Sequence, residues 1–238
     1  IPLADDSVDL VVTSPPYFAL RSYTDGGEHY DGQIGSEATP QAFLEALWAV
    51  TAECRRVLKP SGSMFVNLGD SYSRGSRSTV AGTTDKRRQG DSRVPPCRDI
   101  PAKSLMMLPQ RYAIGCIDQL GLILRAEIIW SKPNGLPESV TDRVRRSHEQ
   151  WFHFTKEPRY FSAVDEVREA STGRSQAGGP WLAKIEGSVL GRETDPHGGL
   201  GDYEPNPLGK LPGSVWTIPT EPLRVPDHIG VDHFAAFP

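Results

Sequence analysis

Apolar residues in the N-terminal part of the chain follow two different spacings, and each spacing predicts a different element. Residues 7–13 are mostly apolar or β-branched and end at a Pro-Pro pair, which predicts a short buried strand. Over 38–58 the apolar residues recur three and four positions apart, which predicts a helix with Thr39 as its N-cap. A turn then leads to a second strand over 63–68. The predicted buried face of the helix consists of Phe43, Leu47, Val50, Cys54 and Val57.

The same alternation continues in the middle of the chain. The pattern predicts a second helix over 104–120, a third strand over 123–130 and a short fourth strand over 151–154. The third strand is almost continuously apolar, as expected for a strand covered on both faces. Strands alternating with helices predict an α/β fold with a mainly parallel sheet and helices on its faces. Ligands of such sheets bind outside the carboxyl ends of the strands, so the candidate site lies there.

Two intervals lack this periodicity. Residues 71–103 are rich in Ser, Arg, Gly and Thr and predict a flexible insert, whereas 162–212 predict a loop-rich region. The net charge of the chain is −4, yet the insert carries eight basic and three acidic side chains. Residues 1–70 carry four basic and ten acidic side chains. The basic insert is therefore either a contact for a phosphate backbone or a solvated loop.

Composition excludes several classes of protein. No apolar run approaches the roughly 20 residues that span a bilayer, so we expect no membrane partner. The three cysteines, an odd number at wide spacing, fit neither a disulfide framework nor a zinc cluster, and a cytoplasmic location is the default. His148 and His153 lack further metal ligands nearby, so we expect no metal site. Cys54 and Cys116 fall on apolar helix faces and are predicted to be core residues.

A four-residue motif, Ser14-Pro15-Pro16-Tyr17, follows the first predicted strand directly. Each proline has a fixed φ and lacks an N–H donor, so the pair presents backbone carbonyls in a rigid arrangement, with the Ser14 hydroxyl beside them. Such a cluster can accept hydrogen bonds from an exocyclic amine, and Tyr17 offers a face on which a planar base can stack. The alternative is a turn that merely ends a strand.

The motif resembles that of the beta-type amino-methylating DNA methyltransferases, the N4-cytosine and N6-adenine family. Further segments resemble later parts of that family in the same order, over about 3–161 and 213–238. They include Arg56-Val57-Leu58-Lys59-Pro60-Ser61-Gly62-Ser63 with Asn67-Leu68-Gly69-Asp70, Arg125 to Asn134, Pro137 to Arg143 with Arg146 to Glu149, Val215 to Ile218, and His233 to Pro238.

The resemblance implies a Rossmann-like fold and a reaction. A methyl group passes from S-adenosyl-L-methionine to the exocyclic amine of a base flipped out of double-stranded DNA. The implied catalytic residues are Ser14, Pro15, Pro16 and Tyr17. Serine before Pro-Pro-Tyr favours cytosine N4, with adenine N6 or an inactive DNA-binding fragment as alternatives. RNA or a protein amide is a further possible substrate class, and the implied setting is a bacterial or phage restriction–modification system.

The resemblance also implies a domain organisation. Residues 1–161 correspond to the catalytic core, 162–212 to a target-recognition region, and 213–238 to the segment that leads into the glycine-rich cofactor loop. Because the beta type has that loop last, we expect the chain to be a fragment that ends before it. The implied cofactor contacts are Ser14, His233, Phe234, Ala235, Phe237 and Pro238. The implied DNA contacts are Phe18, Arg87, Arg88, Asn134, Arg143, Arg145 and Arg146.

One competing motif is Pro96-Cys97, because carbon-5 cytosine methyltransferases use a Pro-Cys nucleophile. The pair lies in the basic insert and not after a predicted strand. Nothing in the sequence places a base-activating partner beside it. The amino-methylating mechanism, which needs no covalent enzyme intermediate, is therefore the preferred hypothesis.

Overall fold

The computed structural model describes residues 1–20, 32–74, 97, 99–135, 137–170 and 206–221, with the backbone alone at 24–25 and 28–29. The chain divides into two compact units, of which the first contains residues 1–161 and the segment from Ser214 onward. The second unit contains residues 162–213, close to the interval predicted as a recognition region, and its role stays a prediction. In its described part lies a short 3₁₀ helix, Val164–Val167.

The first unit alternates strands and helices as the sequence predicts. In chain order the elements are β1 (Val8–Thr13), β2 (Thr24–Asp25), β3 (Glu28–His29), α1 (Pro40–Val57), β4 (Leu58–Leu68), α2 (Leu108–Asp118), β5 (Ile123–Ser131), β6 (His148–Thr155) and β7 (Val215–Thr217). The α/β class is thereby confirmed, with the strand at β7 as an addition. Among the described residues, no helix is both long enough and apolar enough to cross a bilayer.

Five of these strands form one sheet in the order β1-β4-β6-β5-β7. β1 is parallel to β4 and β5 is parallel to β7, whereas β6 is antiparallel to both of its neighbours. Four of these five strands run in the same direction and β6 alone is reversed, so the sheet is mixed but mainly parallel, as predicted. Because of this order, the carboxyl ends of β1, β4 and β5 meet the beginning of β6 at one edge of the sheet.

β1 is the outermost strand of the described sheet, which corrects the prediction of a buried strand. Leu10 is 55% exposed and Val12 is 47% exposed. The sequence pattern identified an apolar strand but could not indicate on which sides it has neighbours. The pairing with β4 also contains a bulge, since Val8 pairs with Leu58 and Leu10 pairs with Ser63. The predicted turn before the second strand is therefore part of β4.

Both helices of the first unit pack on one face of the sheet. Thr39 caps α1 as predicted, because its Oγ1 accepts a hydrogen bond from Ala42 N at 3.1 Å. The buried side of α1 is rotated from the predicted face: Val50 is exposed, whereas Trp48 is buried. Trp48 Nε1 donates to the Tyr112 carbonyl of α2 at 3.0 Å. The core of this layer also contains Phe43, Leu44, Leu47, Met64, Val66, Cys116, Phe152 and Phe154.

The two ends of the predicted flexible insert belong to the ordered first unit. Ser73 is 3% exposed, and its Oγ donates to the Ile100 carbonyl at 2.9 Å. Tyr72 forms a β-bridge with Leu105. Tyr72, Ser73 and Ile100 therefore belong to the packed part of the first unit, and the flexibility of the rest of the interval stays a prediction. Residues 75–96 and 98 lie outside the described part of the chain.

A ring cluster occupies the sheet face opposite the helices. The imidazole of His153 stacks on Phe65 with ring centroids 4.3 Å apart and meets Tyr160 edge-on at 5.4 Å. His153 Nε2 lies 3.0 Å from Ser63 Oγ. Burial, with a smaller contribution from Arg125, lowers the pKa of His153 below its usual value of 6.5.

This lowered pKa predicts a loss of stability in mild acid. Because the unfolded chain binds the proton more readily than the folded one, the free energy of unfolding falls as the pH drops below about 6.5. We expect the melting temperature to fall between pH 7.5 and pH 5.5, and to fall less in His153→Gln. Thermal unfolding followed by circular dichroism measures both slopes. Equal slopes in the two proteins would contradict the assignment.

Candidate active site

Four segments meet at the edge of the sheet where β1, β4 and β5 end and β6 begins. The motif Ser14 to Tyr17 follows β1, and Gly69 and Asp70 follow β4. Lys132 follows β5, and Glu149 is the second residue of β6. The parallel and antiparallel pairings together place these side chains at one end of the sheet, where α/β folds bind ligands.

The Tyr17 hydroxyl is held between two strands. It lies 2.7 Å from Asn67 Oδ1 and 2.7 Å from Glu149 Oε2. The Asn67 amide is itself oriented, because its Nδ2 donates to the Gln150 carbonyl at 3.1 Å. Ser14 Oγ lies 3.4 Å from the same Asn67 oxygen. The first and last residues of the motif therefore share one buried partner on β4.

Gly69 makes room for the Tyr17 ring. A β-carbon at position 69 would lie 2.6 Å from Tyr17 Cε2 and 2.8 Å from Cδ2, closer than carbon atoms can approach. Any larger residue would therefore displace the ring. Gly35, on the other side of the motif, has a φ of +98° and would place a β-carbon 2.8 Å from the Tyr17 carbonyl. These two glycines determine where the motif can lie.

Glu149 is ion-paired as well as hydrogen-bonded. Its Oε1 accepts a short hydrogen bond from Lys132 Nζ, and each of the two side chains is only 18% exposed. Lys132 Nζ also lies over the Trp130 ring, 4.1 Å from its centroid. A half-buried carboxylate that receives both a cation and a hydroxyl is fixed in orientation.

A cavity of about 240 Å³ opens beside Tyr17. Side chains of both signs line it, including Lys132, Arg146, Glu138 and Glu149. The remaining lining residues are Tyr17, Leu20, Gly69, Asp70, Gly135, Ser147 and His148. With an aromatic ring and several hydrogen-bonding groups on its wall, the cavity can accept a planar polar ring.

Asp70 lines this cavity and also caps α2. Its carboxylate accepts hydrogen bonds from Met107 N at 2.9 Å and Leu108 N at 3.0 Å, where α2 begins. It also accepts one from Ser71 N at 2.9 Å. Burial raises the pKa of Asp70, and the three backbone N–H groups and Arg146 oppose that rise. The carboxylate therefore connects the end of β4 to the helix.

Two predicted DNA contacts have partners within the protein, and one of the two predictions, Phe18, is corrected. Phe18 is 1% exposed and packs against Phe43, with ring centroids 5.4 Å apart, so its ring belongs to the core. Asn134 uses its amide within the protein: its Nδ2 donates to the Thr220 carbonyl and its Oδ1 accepts from Thr220 N, both at 2.8 Å. The side chain connects the loop after β5 to the segment after β7, and a DNA contact by the exposed Asn134 stays a prediction.

The three predicted arginines differ in their surroundings. The Arg143 guanidinium stacks over Tyr72 at 3.8 Å and pairs with Glu138 at 2.6 Å. Arg145 is exposed and donates to the Gly135 carbonyl at 3.3 Å, and Arg146 lines the cavity. A DNA contact by these residues stays a prediction. The other predicted contacts, Arg87, Arg88, His233, Phe234, Ala235, Phe237 and Pro238, lie outside the described residues.

Sequence analysis missed three members of the site. Asn67, Lys132 and Glu149 each lie in a segment that resembles the family, but nothing local distinguishes them from ordinary polar residues at strand ends. Only the order of the strands brings them to Tyr17. Cys97, the competing candidate nucleophile, is 6% exposed and does not line the cavity.

Comparison with known proteins gives a match to one family model and to several relatives. The family model N6_N4_Mtase, described as DNA methylase, matches residues 8–238. The type II methyltransferase M.XycI of Xanthomonas campestris pv. cyanopsidis is 42% identical over 174 residues, which are 72% of this chain and 55% of the relative. M.Cfr9I of Citrobacter freundii is 39% identical over 170 residues, covering 70% of this chain and 54% of the relative.

Among solved structures, the PvuII DNA methyltransferase (cytosine-N4-specific) superposes with a TM-score of 0.48 and 21% identity, over 76% of this chain and 56% of that one. The chain spans about half the length of the curated relatives it matches. The match to the family model includes the Ser14-Pro15-Pro16-Tyr17 motif and the strands around the cavity. The chain therefore belongs to the DNA methylase family.

Proposed function

We propose that the protein containing this chain transfers a methyl group from S-adenosyl-L-methionine to the exocyclic amine of a base flipped out of double-stranded DNA. The observation that supports it most is the fixed Tyr17 ring on the wall of a polar cavity, directly after Ser14 and the Pro-Pro pair. Membership of the DNA methylase family gives the reaction class.

The acceptor amine is a weak nucleophile because its lone pair is conjugated with the ring. Ser14 Oγ and the Pro15 carbonyl accept its two hydrogens, which favours a more tetrahedral nitrogen with the lone pair directed outward. Ser14 is exposed at the end of β1, so a bound ligand can reach its hydroxyl. Holding the amine in this orientation lowers the entropic cost of a reaction between two substrates.

Tyr17 holds the base itself. Unstacking a base from a duplex costs a few kcal/mol, and stacking on an aromatic ring offsets about 1–3 kcal/mol of it. Arg145, exposed beside the cavity, is available to a DNA phosphate near the flipped nucleotide. The base thus stacks on the Tyr17 ring inside the cavity that Lys132 and Glu149 also line.

The proposed place of the cofactor is the carboxyl end of β1, beside Ser14. When bound, it supplies an activated methyl group. Of the predicted cofactor contacts the described residues contain Ser14, whose exposed hydroxyl lies where the methyl group must meet the amine. The role of residues 233–238 stays a proposal.

Cytosine N4 is the preferred acceptor, because serine before Pro-Pro-Tyr resembles the cytosine-N4 members of the family. The Ser14 hydroxyl can donate a hydrogen bond to cytosine N3, next to the amine, while the Pro15 carbonyl accepts. Adenine N1 offers a similar acceptor, so adenine N6 is the second candidate. Both acceptors use the same residues in the same roles.

Nucleoside analysis distinguishes the two candidates. Unmethylated bacterial DNA is incubated with the complete gene product and S-adenosyl-L-methionine, digested and examined by mass spectrometry. We expect N4-methylcytosine. Detection of N6-methyladenine instead would show that adenine N6 is the acceptor and would leave the proposed mechanism unchanged. The absence of any methylated base would contradict the proposed function.

A further inference from the structure

We propose that Lys132 and Glu149 form a positioning pair that acts on methyl transfer through the Tyr17 hydroxyl. This inference rests on the proposed function and assigns roles to two residues for which the motif provides none. Neither side chain is part of the motif, yet both line the cavity beside it. The role is positioning because the pair determines where the Tyr17 ring lies.

An ion pair and a hydrogen bond connect Lys132, Glu149 and Tyr17 in sequence at the end of the sheet where the site lies. Lys132 follows β5 and donates to Glu149 of β6, and the other oxygen of Glu149 receives the Tyr17 hydroxyl at 2.7 Å. Trp130 supports Lys132 from the side, 4.1 Å from its ammonium to the ring centroid. Lys132 and Glu149 are each only 18% exposed, so water screens their attraction less than that of a surface pair.

The Tyr17 hydroxyl has one proton and two acceptors. It lies 2.7 Å from both Asn67 Oδ1 and Glu149 Oε2, and it can donate to only one of them at a time. A carboxylate is the stronger acceptor, so the ion-paired Glu149 receives the proton preferentially. Removing that carboxylate would leave Asn67 as the alternative partner.

The acceptor of the Tyr17 hydroxyl affects the orientation of the Tyr17 ring, because the ring has little room to move on the side of Gly69. Its Cε2 and Cδ2 edge lies directly against Gly69, where even a β-carbon would be 2.6 Å away. The hydrogen bond of the Tyr17 hydroxyl therefore helps to determine the orientation of the ring. A small change of ring orientation moves a stacked base relative to Ser14, and misplacement of about 1 Å can cost about 100-fold in rate.

A double-mutant cycle tests the route of action. In the complete gene product, Tyr17→Phe keeps the ring and loses the hydroxyl, and Glu149→Gln keeps the shape and loses the charge. We expect each to lower the single-turnover methylation rate about 10-fold, with little change in DNA affinity. Because both remove the same contact, the double variant should also be about 10-fold slower, whereas independent residues would give about 100-fold.

Lys132→Met should resemble Glu149→Gln and should have little further effect in the Tyr17→Phe background. Lys59→Met is the matched control, since Lys59 pairs with Asp9 at 2.8 Å near the opposite end of β1 and β4. It should keep the wild-type rate. Melting temperatures of all variants show whether a rate loss reflects unfolding.

The outcomes separate this inference from the proposed function. Multiplicative effects of Tyr17→Phe and Glu149→Gln, or a wild-type rate in Glu149→Gln, would overturn the positioning role while methyl transfer by the wild-type protein stands. Absence of methyl transfer by the wild-type protein would instead overturn the proposed function. A defect confined to DNA affinity would also overturn the inference, because it would assign Glu149 to binding.

Discussion

Tyr17→Ala is expected to lower the rate of methyl transfer by about 100-fold or more in the complete gene product. The substitution removes the stacking face, worth about 1–3 kcal/mol per base, and leaves the base free to move away from Ser14. The Tyr17 ring is only partly buried at the margin of the core, so the fold should persist. Transfer of tritiated methyl groups to DNA measures the rate, and circular dichroism checks the fold.

Tyr160→Ala is a matched control for this substitution. Tyr160 is another partly buried tyrosine, but its ring packs against His153 and does not line the cavity. Its removal should leave the rate of methyl transfer near the wild-type value. Ser14→Ala should share the defect of Tyr17→Ala. Wild-type rates in both Ser14→Ala and Tyr17→Ala would show that the active site is misassigned.

Gly115→Ala is expected to destabilise the fold by about 2 kcal/mol. A β-carbon at this position of α2 would lie 2.1 Å from Trp48 Cζ2, so the two helices would have to separate. The indole cannot turn aside freely, because its N–H donates to the Tyr112 carbonyl at 3.0 Å. Overpacking of a core typically costs about 1–3 kcal/mol, and the helix propensity of alanine returns only about 1 kcal/mol. Urea denaturation measures the difference.

Two further variants show whether steric conflict is the cause. Gly213→Ala introduces the same methyl group where no heavy atom lies within 4 Å, and its stability should match that of the wild-type protein. Combining Gly115→Ala with Trp48→Leu should cost less than the sum of the two single substitutions, since the smaller side chain leaves room. A stable Gly115→Ala protein would mean that α1 and α2 are farther apart than the structure indicates.

Local signals in the sequence predicted most elements correctly. Apolar spacing identified α1 and its cap at Thr39, and the continuous apolar run identified β5. The exposure of β1 and the reversal of β6 depend on which strands become neighbours. That information is not contained in the spacing of apolar residues within one segment. The sheet is mainly parallel as predicted, but its one reversed strand, β6, could not be identified from the sequence for this reason.

Local signals in the sequence also predicted only part of the candidate site. The motif at the end of β1 identified Ser14 and Tyr17, because it is contiguous in sequence. Its next residue, Phe18, was assigned to DNA although the chain turns there and directs the ring into the core. Asn67 and Glu149 could not be predicted from local pattern, because they lie 50 and 132 positions from Tyr17 and become partners only in the folded sheet.

The outermost position of β1 in the described sheet affects how this chain associates with other molecules when it is studied by itself. Its one described strand partner is β4, so its far side presents a row of backbone N–H and C=O groups. Leu10 and Val12 flank that row with exposed apolar surface. An edge strand that has no further partner among the described residues is a template for strand addition, through which two molecules can join their sheets. Any surface that occupies this edge therefore protects the protein against aggregation.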